Sequence, residues 1–284
     1  GGWRYDLDNK NPNVQALGKG NSATDTITIH SADGTPHQIT IIVNGTNDKA
    51  IIGGTNTGVV TEESQLQTSG TLTVTDVDTG EAHFSNTDIT GALGTLHLTD
   101  SGKWTYDLDN TNPTVQALGK GATATDTITV HSADGTPHQI TITVNGTDDT
   151  AVIGGQDTGS VDEGHGHYSD MSPDYGKTQL TSEALYADGK LTIADPDTGE
   201  NEFDPKGGGY DYQGQYGRVN LHQDGTWHYM VDIGHNGFTS GTSTTSVGTT
   251  IDQLGDGQSL TDTITVYSKD GTSHDIVVTI HGDN

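Results

Sequence analysis

A tandem repeat is the feature that most constrains how this chain can fold. Residues 1–48 align without a gap to residues 102–149, and 39 of the 48 positions are identical. The offset of 101 residues is the size of a small β-sandwich domain. A third, diverged copy follows, in which Trp227 corresponds to Trp104 and Asp262 corresponds to Asp126. The 284 residues are therefore expected to form tandem domains of one architecture.

The repeat predicts three segments. Residues 1–48 correspond to the C-terminal part of a repeat (the half-repeat), 49–149 to a complete repeat (the middle repeat), and 150–284 to a diverged repeat with inserted loops (the third repeat). Asp126 and Asp262 are 136 residues apart, so the third repeat carries about 35 additional residues. A half-repeat alone would leave the inner face of its sheet exposed, so either the sequence begins within a domain or the boundary lies elsewhere.

Alternating polar and apolar residues predict strands throughout the chain. Trp104, Tyr106 and Leu108 alternate with polar residues, as expected for half-buried strands. The segment "ADGT" at 133–136 predicts a tight turn between two strands. Only 112–121, with Pro113 near its start, has a helical pattern. The predicted class is all-β, built from tandem sandwich domains.

The composition excludes several functions. The net charge is -28 and there are only 11 Lys and Arg residues, so nucleic acids and anionic membranes are poor partners. The absence of cysteine excludes disulfides, thiolate zinc sites and cysteine nucleophiles. No apolar run is long enough for direct membrane insertion. The acidity comes mainly from Asp among Gly and Thr, which favours loops that bind hard cations.

Several segments resemble a known family. "GTLTVTDVDTGE" (70–81), "GTLHLTDSGKWTYDLDNTNPTVQAL" (94–118) and "ATDTITVHSADGTPHQITITVNGTDD" (124–149) resemble the VCBS repeats of bacterial RTX adhesins. The resemblance implies Ig/cadherin-like sandwiches stacked into an elongated, monomeric, calcium-rigidified rod. It also implies an extracellular location on a Gram-negative cell surface, type I secretion, and attachment to host, neighbouring-cell or biofilm surfaces.

Acidic residues recur where calcium ions are expected. "DVD" at 76–78 and "DPD" at 195–197 each place two carboxylates two residues apart, beside acidic linkers at 44–48 and 145–149. Calcium needs six to eight oxygen ligands from loops that converge. The predicted ligands of several Ca²⁺ ions are Asn47, Asp48, Glu62, Glu63, Asp76, Asp78, Asp148, Asp149, Asp162, Glu163, Asp195 and Asp197.

Other chemistry fits these residues less well. Paired carboxylates also serve glycosidases, but here they recur repeat by repeat at domain ends, which suits structural ions better than catalysis. No enzymatic activity is therefore expected. The histidine pair in "HGH" at 165–167 is a candidate zinc or nickel site within an insertion.

The third repeat also contains a tyrosine-rich insertion. One interpretation is that its loops cover an end of the sandwich and that the rings are local core. The alternative is a ligand site, because tyrosine offers a large contact area at low entropic cost and Arg218 can hold a carboxylate. The ligand would be a surface peptide or protein, or a glycan stacked on aromatic rings; a repeat without any ligand would be a pure spacer. The predicted ligand-binding residues are Tyr210, Tyr212, Tyr216, Arg218, Trp227, Asp170, Asp174 and Asp204, the three aspartates holding a further calcium ion.

Overall fold

A computed structural model of the protein describes residues 2–163, 184–206, 212–234 and 246–282. It confirms an all-β protein of tandem sandwich domains. The chain divides into two compact units, residues 1–147 and 148–284. The half-repeat and the middle repeat both lie in the first unit, so the boundary at residue 48 stays a prediction. None of the described helices is long and apolar enough to cross a membrane.

The first unit consists of short strands and two single-turn helices. Its elements are α1 (Pro12–Gln15), β1 (Ser22–His30), β2 (Pro36–Asn44), β3 (Ile51–Gly54), β4 (Thr57–Thr61), β5 (Gln67–Thr75), β6 (Thr87–Thr90), β7 (Gly94–Leu98), β8 (Lys103–Leu108), α2 (Pro113–Gln116), β9 (Thr123–His131) and β10 (Pro137–Asn145). A five-stranded sheet has the order β3-β5-β8-β7-β6, and a three-stranded sheet has the order β4-β10-β9. All pairs are antiparallel except β4 with β10.

The second unit repeats this topology. Its elements are β11 (Val152–Gly155), β12 (Thr158–Asp162), β13 (Ala184–Ala194), β14 (Tyr212–Gln213), β15 (Arg218–Leu221), β16 (Thr226–Asp232), α3 (Ser246–Ile251), β17 (Ser259–Tyr267) and β18 (Ser273–His281). The sheets have the orders β11-β13-β16-β15-β14 and β12-β18-β17. Again only one pair, β12 with β18, is parallel among the described strands.

Each complete sandwich is organised around a buried tryptophan. Trp104 on β8 is fully enclosed, and its indole N–H donates to the carbonyl oxygen of Thr55 at 2.8 Å. A Cβ at Gly70 would lie 2.5 Å from the Trp104 ring, so only glycine fits beneath it. Trp227 has the same arrangement over Gly189. The tryptophan that the alternating sequence pattern predicts to lie on a half-buried strand is therefore a core residue.

In the half-repeat, the equivalent tryptophan and much of the inner face of the sheet are left uncovered by the described residues. Its strands β1 and β2 form a two-stranded sheet. Trp3 is 63% exposed, whereas the equivalent Trp104 is 1% exposed. Ile29 is 46% exposed, whereas the equivalent Val130 is fully buried. Residues 3–7 form no strand, because the neighbours that pair with β8 in the middle repeat have no counterpart here. The inner face of the half-repeat is thus largely exposed among the described residues, and the two explanations given for this from the sequence both stay open.

Helices are more frequent than the sequence predicts. The helical pattern at 112–121 forms only the single turn α2, and its counterpart in the half-repeat forms α1. Both helices begin after an asparagine cap, Asn11 or Asn112, whose side chain accepts a backbone N–H two residues later. The third helix, α3, lies where the sequence indicates an inserted loop.

A buried carboxylate joins the two sheets in each sandwich. Asp126 on β9 is 2% exposed and accepts the Tyr106 hydroxyl at 2.8 Å and the backbone N–H groups of Ala92 and Leu93 at 3.1 and 2.9 Å. Asp262 does the same with the Tyr229 hydroxyl and the turn at 214–217. Burial, followed by the neighbouring aspartate, raises the pKa of both tyrosines, so their hydroxyls stay protonated as donors.

We expect Asp126→Ala to destabilise the first unit far more than Tyr106→Phe. The alanine variant leaves two backbone donors and one hydroxyl unsatisfied, which costs about 3 kcal/mol or more, whereas the phenylalanine variant removes one hydrogen bond worth about 1 kcal/mol. Urea unfolding followed by tryptophan fluorescence measures both. Equal losses for the two variants would contradict the bridging role of the carboxylate.

Candidate metal centres

One carboxylate cluster lies in the first unit. Asp76 follows β5 directly, and Asp78 and Glu81 lie in the loop between β5 and β6. Asp134 lies in the turn between β9 and β10, and Asp48 lies in the linker after β2. Asp78 connects these segments, because its Oδ2 accepts the backbone N–H of Asp48 at 2.7 Å. The structure thus brings together the linker and the Asp-x-Asp motif that the sequence singles out.

Backbone hydrogen bonds orient the carboxylates of this cluster. Oδ1 of Asp76 accepts the backbone N–H of Asp78 at 2.8 Å, which forms an Asx turn after the strand. Gly80 then adopts φ = +86°, a conformation that glycine allows and that brings the chain back toward the cluster at Glu81. Short-range geometry of the motif "DVDTGE" therefore determines where its three carboxylates lie.

The half-repeat contacts the same loop. The carbonyl oxygen of Ala16 accepts the backbone N–H of Thr79 at 3.1 Å. A Cβ at Gly18 would lie 2.5 Å from Oε1 of Glu81 and 3.4 Å from Asp78. The carboxylates are therefore enclosed by backbone of the half-repeat on one side.

The carboxylates of the first cluster are buried or half-buried, without a counter-charge among the described residues. Asp78 is 2% exposed, and its Oδ1 has no hydrogen-bond donor among the described residues; the same holds for Oδ2 of Asp76. No lysine or arginine within the described ranges forms an ion pair with Asp76, Asp78 or Glu81. Burial raises the pKa of Glu81, and the nearby charges of Asp78, Asp76 and Asp134 raise it further.

An equivalent cluster lies in the second unit. Asp148, Asp197 and Glu200 each offer a carboxylate oxygen within 4.8 Å of the others. Asp197 is fully buried, and its Oδ2 accepts the backbone N–H of Asp149 at 2.8 Å. Asp195 in turn accepts the backbone N–H of Asp197 at 2.8 Å. This arrangement repeats the one around Asp48, Asp76 and Asp78 in the first unit.

The second cluster is also electrostatically unfavourable. Oδ1 of Asp197, Oδ2 of Asp195 and Oε2 of Glu200 are buried and have no hydrogen-bond donor in the described part of the chain. Burial raises the pKa of Asp195, and the charges of Asp270, Asp197 and Asp148 add to the effect. Burial also raises the pKa of Glu200, followed by the same neighbouring carboxylates. Charges of one sign with unused oxygens are the donor set of a hard cation site.

The turn between the last two strands adds one carboxylate to each cluster. Asp134 accepts hydrogen bonds from the side chains of Ser132 and Thr136 and from the backbone N–H of Ala50, the last at 3.2 Å. Burial opposes ionisation, but these hydrogen bonds hold the pKa of Asp134 well below its usual range. Asp270 has the same partners in its own repeat, and its pKa is also lowered against the effect of burial. Both carboxylates therefore stay ionised.

Sequence reasoning missed the carboxylates of Glu81, Glu200, Asp134 and Asp270. A signal was present: "DTGE" follows both Asp-x-Asp motifs, and an "S-x-D-G-T" turn occurs in every repeat. The sequence motif of this turn is fully accounted for by a hairpin. The contribution of its aspartate to the carboxylate cluster becomes apparent only in the structure, where β9 and β10 place the turn beside the linker.

The other predicted metal ligands have different surroundings. Glu62 is fully buried beside the end of β10, where its Oε1 accepts the backbone N–H of Thr147 at 2.7 Å. Glu63 is exposed, has φ = 60°, and donates its backbone N–H to Asn110. Asp162 ends β12 and is exposed, and Glu163 follows it. Asn47 is exposed and donates to Asp134 at 3.5 Å. The role of these residues as calcium ligands stays a prediction.

Two of the predicted ligand-binding residues, Tyr212 and Arg218, do not share a surface. Tyr212 is paired with Val219 and faces the core, whereas Arg218 is paired with Gln213 and faces outward. Tyr212 and Trp227 are 2% and 0% exposed, so they cannot supply a stacking surface while the fold is intact. The tyrosine is a core residue because the two-residue period of the strand places it opposite to Arg218.

The other members of the predicted ligand site have local roles or lie outside the description. Tyr216 is partly buried in the turn that closes on Asp262, where the middle repeat has Leu93. Asp204 accepts the backbone N–H of Lys206 at 2.9 Å, and its carbonyl oxygen accepts the Tyr212 hydroxyl at 2.5 Å. Tyr210, Asp170, Asp174 and the "HGH" histidines lie outside the described residues.

Comparison with known proteins finds one family model that matches the middle repeat. Residues 47–146 match the model of the bacterial cadherin-like domain. A search of the curated proteins finds no match.

Solved structures that match the chain include protocadherins and bacterial adhesins. Protocadherin PcdhgB3 EC1-4 is 15% identical, with 92% of this chain and 64% of that chain covered and a TM-score of 0.46. An ice-binding, Ca²⁺-stabilised adhesin of an Antarctic bacterium is 12% identical, with 93% and 57% covered and a TM-score of 0.26. A 1.5-MDa bacterial ice-binding adhesin is 12% identical, with 93% and 74% covered and a TM-score of 0.27. This chain spans 64% and 42% of the lengths of the first two protocadherin chains it matches.

In the presence of chelator, we expect the carboxylates of the second cluster to lower the stability of the protein as the pH rises toward neutral. The folded-state pKa values of Asp195 and Glu200 are raised, so their contribution to stability is present at low pH and is lost as pH rises through those values. A variant with Asp195→Asn and Glu200→Gln should equal the parent at low pH and exceed its stability at neutral pH. Thermal unfolding across pH measures the difference; a variant less stable than the parent at neutral pH in chelator would contradict it.

Proposed function

We propose that this chain is part of an extracellular bacterial adhesin, in which bacterial cadherin-like repeats bind calcium and carry a ligand-binding third repeat. The two buried carboxylate clusters support the calcium-dependent part of the proposal. The proposed location is the surface of a Gram-negative cell reached by type I secretion, as in RTX adhesins with VCBS repeats. The proposed role is attachment without catalysis.

The donor set of the clusters fits calcium. Ca²⁺ takes six to eight oxygens at about 2.3–2.6 Å, several of them from carboxylates. The first cluster offers Asp48, Asp76, Asp78, Glu81 and Asp134. The second cluster offers Asp148, Asp149, Asp195, Asp197, Glu200 and Asp270. Bound calcium would supply the positive charge that the described residues lack there and would stiffen the linkers at 47–48 and 148–149.

We expect calcium to raise the free energy of unfolding of the parent chain. A ligand that binds only the folded state stabilises it by about 2.7 kcal/mol at a hundred times its dissociation constant. Asp78→Asn should lose most of this gain, because it removes charge from the buried centre of the first cluster. In chelator, the same variant should be no less stable than the parent, since it relieves repulsion between carboxylates.

Asp100→Asn is the matched control. Asp100 is an exposed turn residue of the same repeat, so the substitution changes the net charge equally but leaves the cluster intact. Differential scanning calorimetry with calcium and with chelator, together with calcium titration, separates the two variants. Equal stability of the parent with and without calcium would overturn the calcium proposal.

The third repeat is the proposed ligand-binding module. Tyr186, Met230 and Arg218 are neighbours in register on β13, β16 and β15, on the sheet face opposite to the core. Met230 is buried, at 8% exposure, so Tyr186 and Arg218 are the members of this row that a partner could contact. At the same positions the middle repeat has Gln67, Asp107 and Thr95, which are hydrophilic. A ring and a guanidinium in place of the hydrophilic side chains of Gln67 and Thr95 support a peptide or protein partner with a carboxylate.

We expect Arg218→Ala to weaken binding of a carboxylate-bearing peptide by about 1 kcal/mol or more. Peptide and glycan arrays probed with the full chain in calcium identify a ligand, and titration then compares the variants. Lys190→Ala is the control, because Lys190 is an exposed cation of β13 that pairs with Asp224 at 3.0 Å. Binding to glycans alone would favour a carbohydrate module, and binding to neither array would favour a pure spacer.

A further inference from the structure

Histidine and amide side chains cluster on the outer face of the third repeat. Asp188, His228 and Asn220 are directly opposite one another on β13, β16 and β15. Trp227 and Tyr229, which flank His228 in sequence, belong to the core. Because side chains alternate along a strand, the row of Asp188, His228 and Asn220 lies on the face opposite to the core.

The ring of His228 is oriented as in many metal sites. Its Nδ1 lies 2.5 Å from Oδ1 of Asp188, which leaves Nε2 as the nitrogen available for a metal ion. A histidine ligand commonly donates its other ring N–H to a carboxylate, and this partner fixes the tautomer and increases the basicity of the ligand.

A second imidazole lies beside the first. The rings of His222 and His228 have centroids 5.5 Å apart and are perpendicular, at 89°. Two imidazoles bound to one tetrahedral ion through Zn–N bonds of about 2.0–2.1 Å have ring centres about 5 Å apart. The two histidines therefore need little movement to share an ion.

Asn220 supplies an independent indication of a ligand. Its side chain is 4% exposed, and its Oδ1 has no hydrogen-bond partner among the described residues. An amide oxygen buried without a donor costs free energy unless something else binds it. Asn220 lies directly opposite His228, on the same face, so one ion can satisfy the oxygen and the imidazoles together.

The middle repeat shows what this face looks like without such a cluster. Register places Ser69, Thr105, His97 and Thr99 at the positions of Asp188, His228, Asn220 and His222. The single imidazole there, His97, contacts Asp88 through Nδ1 at 2.7 Å and Asp107 through Nε2 at 3.1 Å. Both of its nitrogens are occupied, so the middle repeat is a natural control.

We propose that His222 and His228, with the amide oxygen of Asn220, bind a divalent first-row transition ion of the zinc class. Imidazole nitrogen suits zinc, copper and nickel, whereas the oxygen-only clusters described above suit calcium. The protein would supply three ligands and would leave the remaining position to water or to a group of a bound partner.

The test is calorimetric titration of the full chain with Zn²⁺ in the presence of saturating Ca²⁺, which occupies the carboxylate clusters. We expect one Zn²⁺ site that is absent from His222→Gln and from His228→Ala. Asp188→Asn should weaken it about tenfold, because this partner orients the ligand rather than binding the metal. Substitution with Co²⁺ should give visible absorption from nitrogen ligands in the parent but not in His228→Ala.

Two control variants make the result decisive. His97→Ala removes the exposed histidine of the middle repeat and should leave Zn²⁺ binding unchanged. The double variant His165→Ala, His167→Ala removes the loop pair and should also leave it unchanged. Zn²⁺ binding that persists in folded His222→Gln and His228→Ala, or that is lost only in the loop variant, would overturn the proposal.

Discussion

Repulsion between buried carboxylates is the constraint on which the linker ends of both repeats depend. Folding encloses Asp78 and Asp197 almost completely and sets further acids around each of them. A buried charge of this kind is tolerated only with a partner, and the described residues provide no lysine or arginine ion pair to Asp78 or Asp197. The proposed ion would therefore offset the repulsion that the fold creates between these carboxylates.

The clusters are held in place by the same hydrogen bonds that form the turns. One oxygen of Asp78 accepts the linker N–H of Asp48, while the other lies unpaired toward the cluster among the described residues. Asp197 divides its oxygens in the same way between Asp149 and its cluster. Each carboxylate therefore has one oxygen that fixes its orientation and one that remains for an ion. This division would pre-organise the proposed calcium site at the cost of local stability in the absence of metal.

The alternation of residues was sufficient to predict the sandwich core. Trp104, Tyr106 and Leu108 lie where the two-residue period places them, and the hairpin turns lie where Gly and Asp indicate them. The same period, continued through the insertion, assigns Tyr212 and Arg218 to one surface, but the turn between β14 and β15 interrupts it and register places the two side chains on opposite faces. The contributions of Asp134 and Asp270 to the two clusters could not be predicted in this way. They depend on the packing of a turn beside a linker that is distant in sequence, and no local pattern indicates that contact.

Comparison of the two complete repeats separates the residues that form the fold from the residues to which we assign a proposed function. The inner face is nearly the same in both: tryptophan over glycine, tyrosine on aspartate, phenylalanine beside the turn. The outer face of the five-stranded sheet differs at successive positions, from Gln67, Asp107 and Thr95 to Tyr186, Met230 and Arg218. A strand can change one face without disturbing the other, because its side chains alternate. The third repeat therefore shares the core of the middle repeat, which specifies a cadherin-like sandwich, and differs from it on the outer face of the five-stranded sheet.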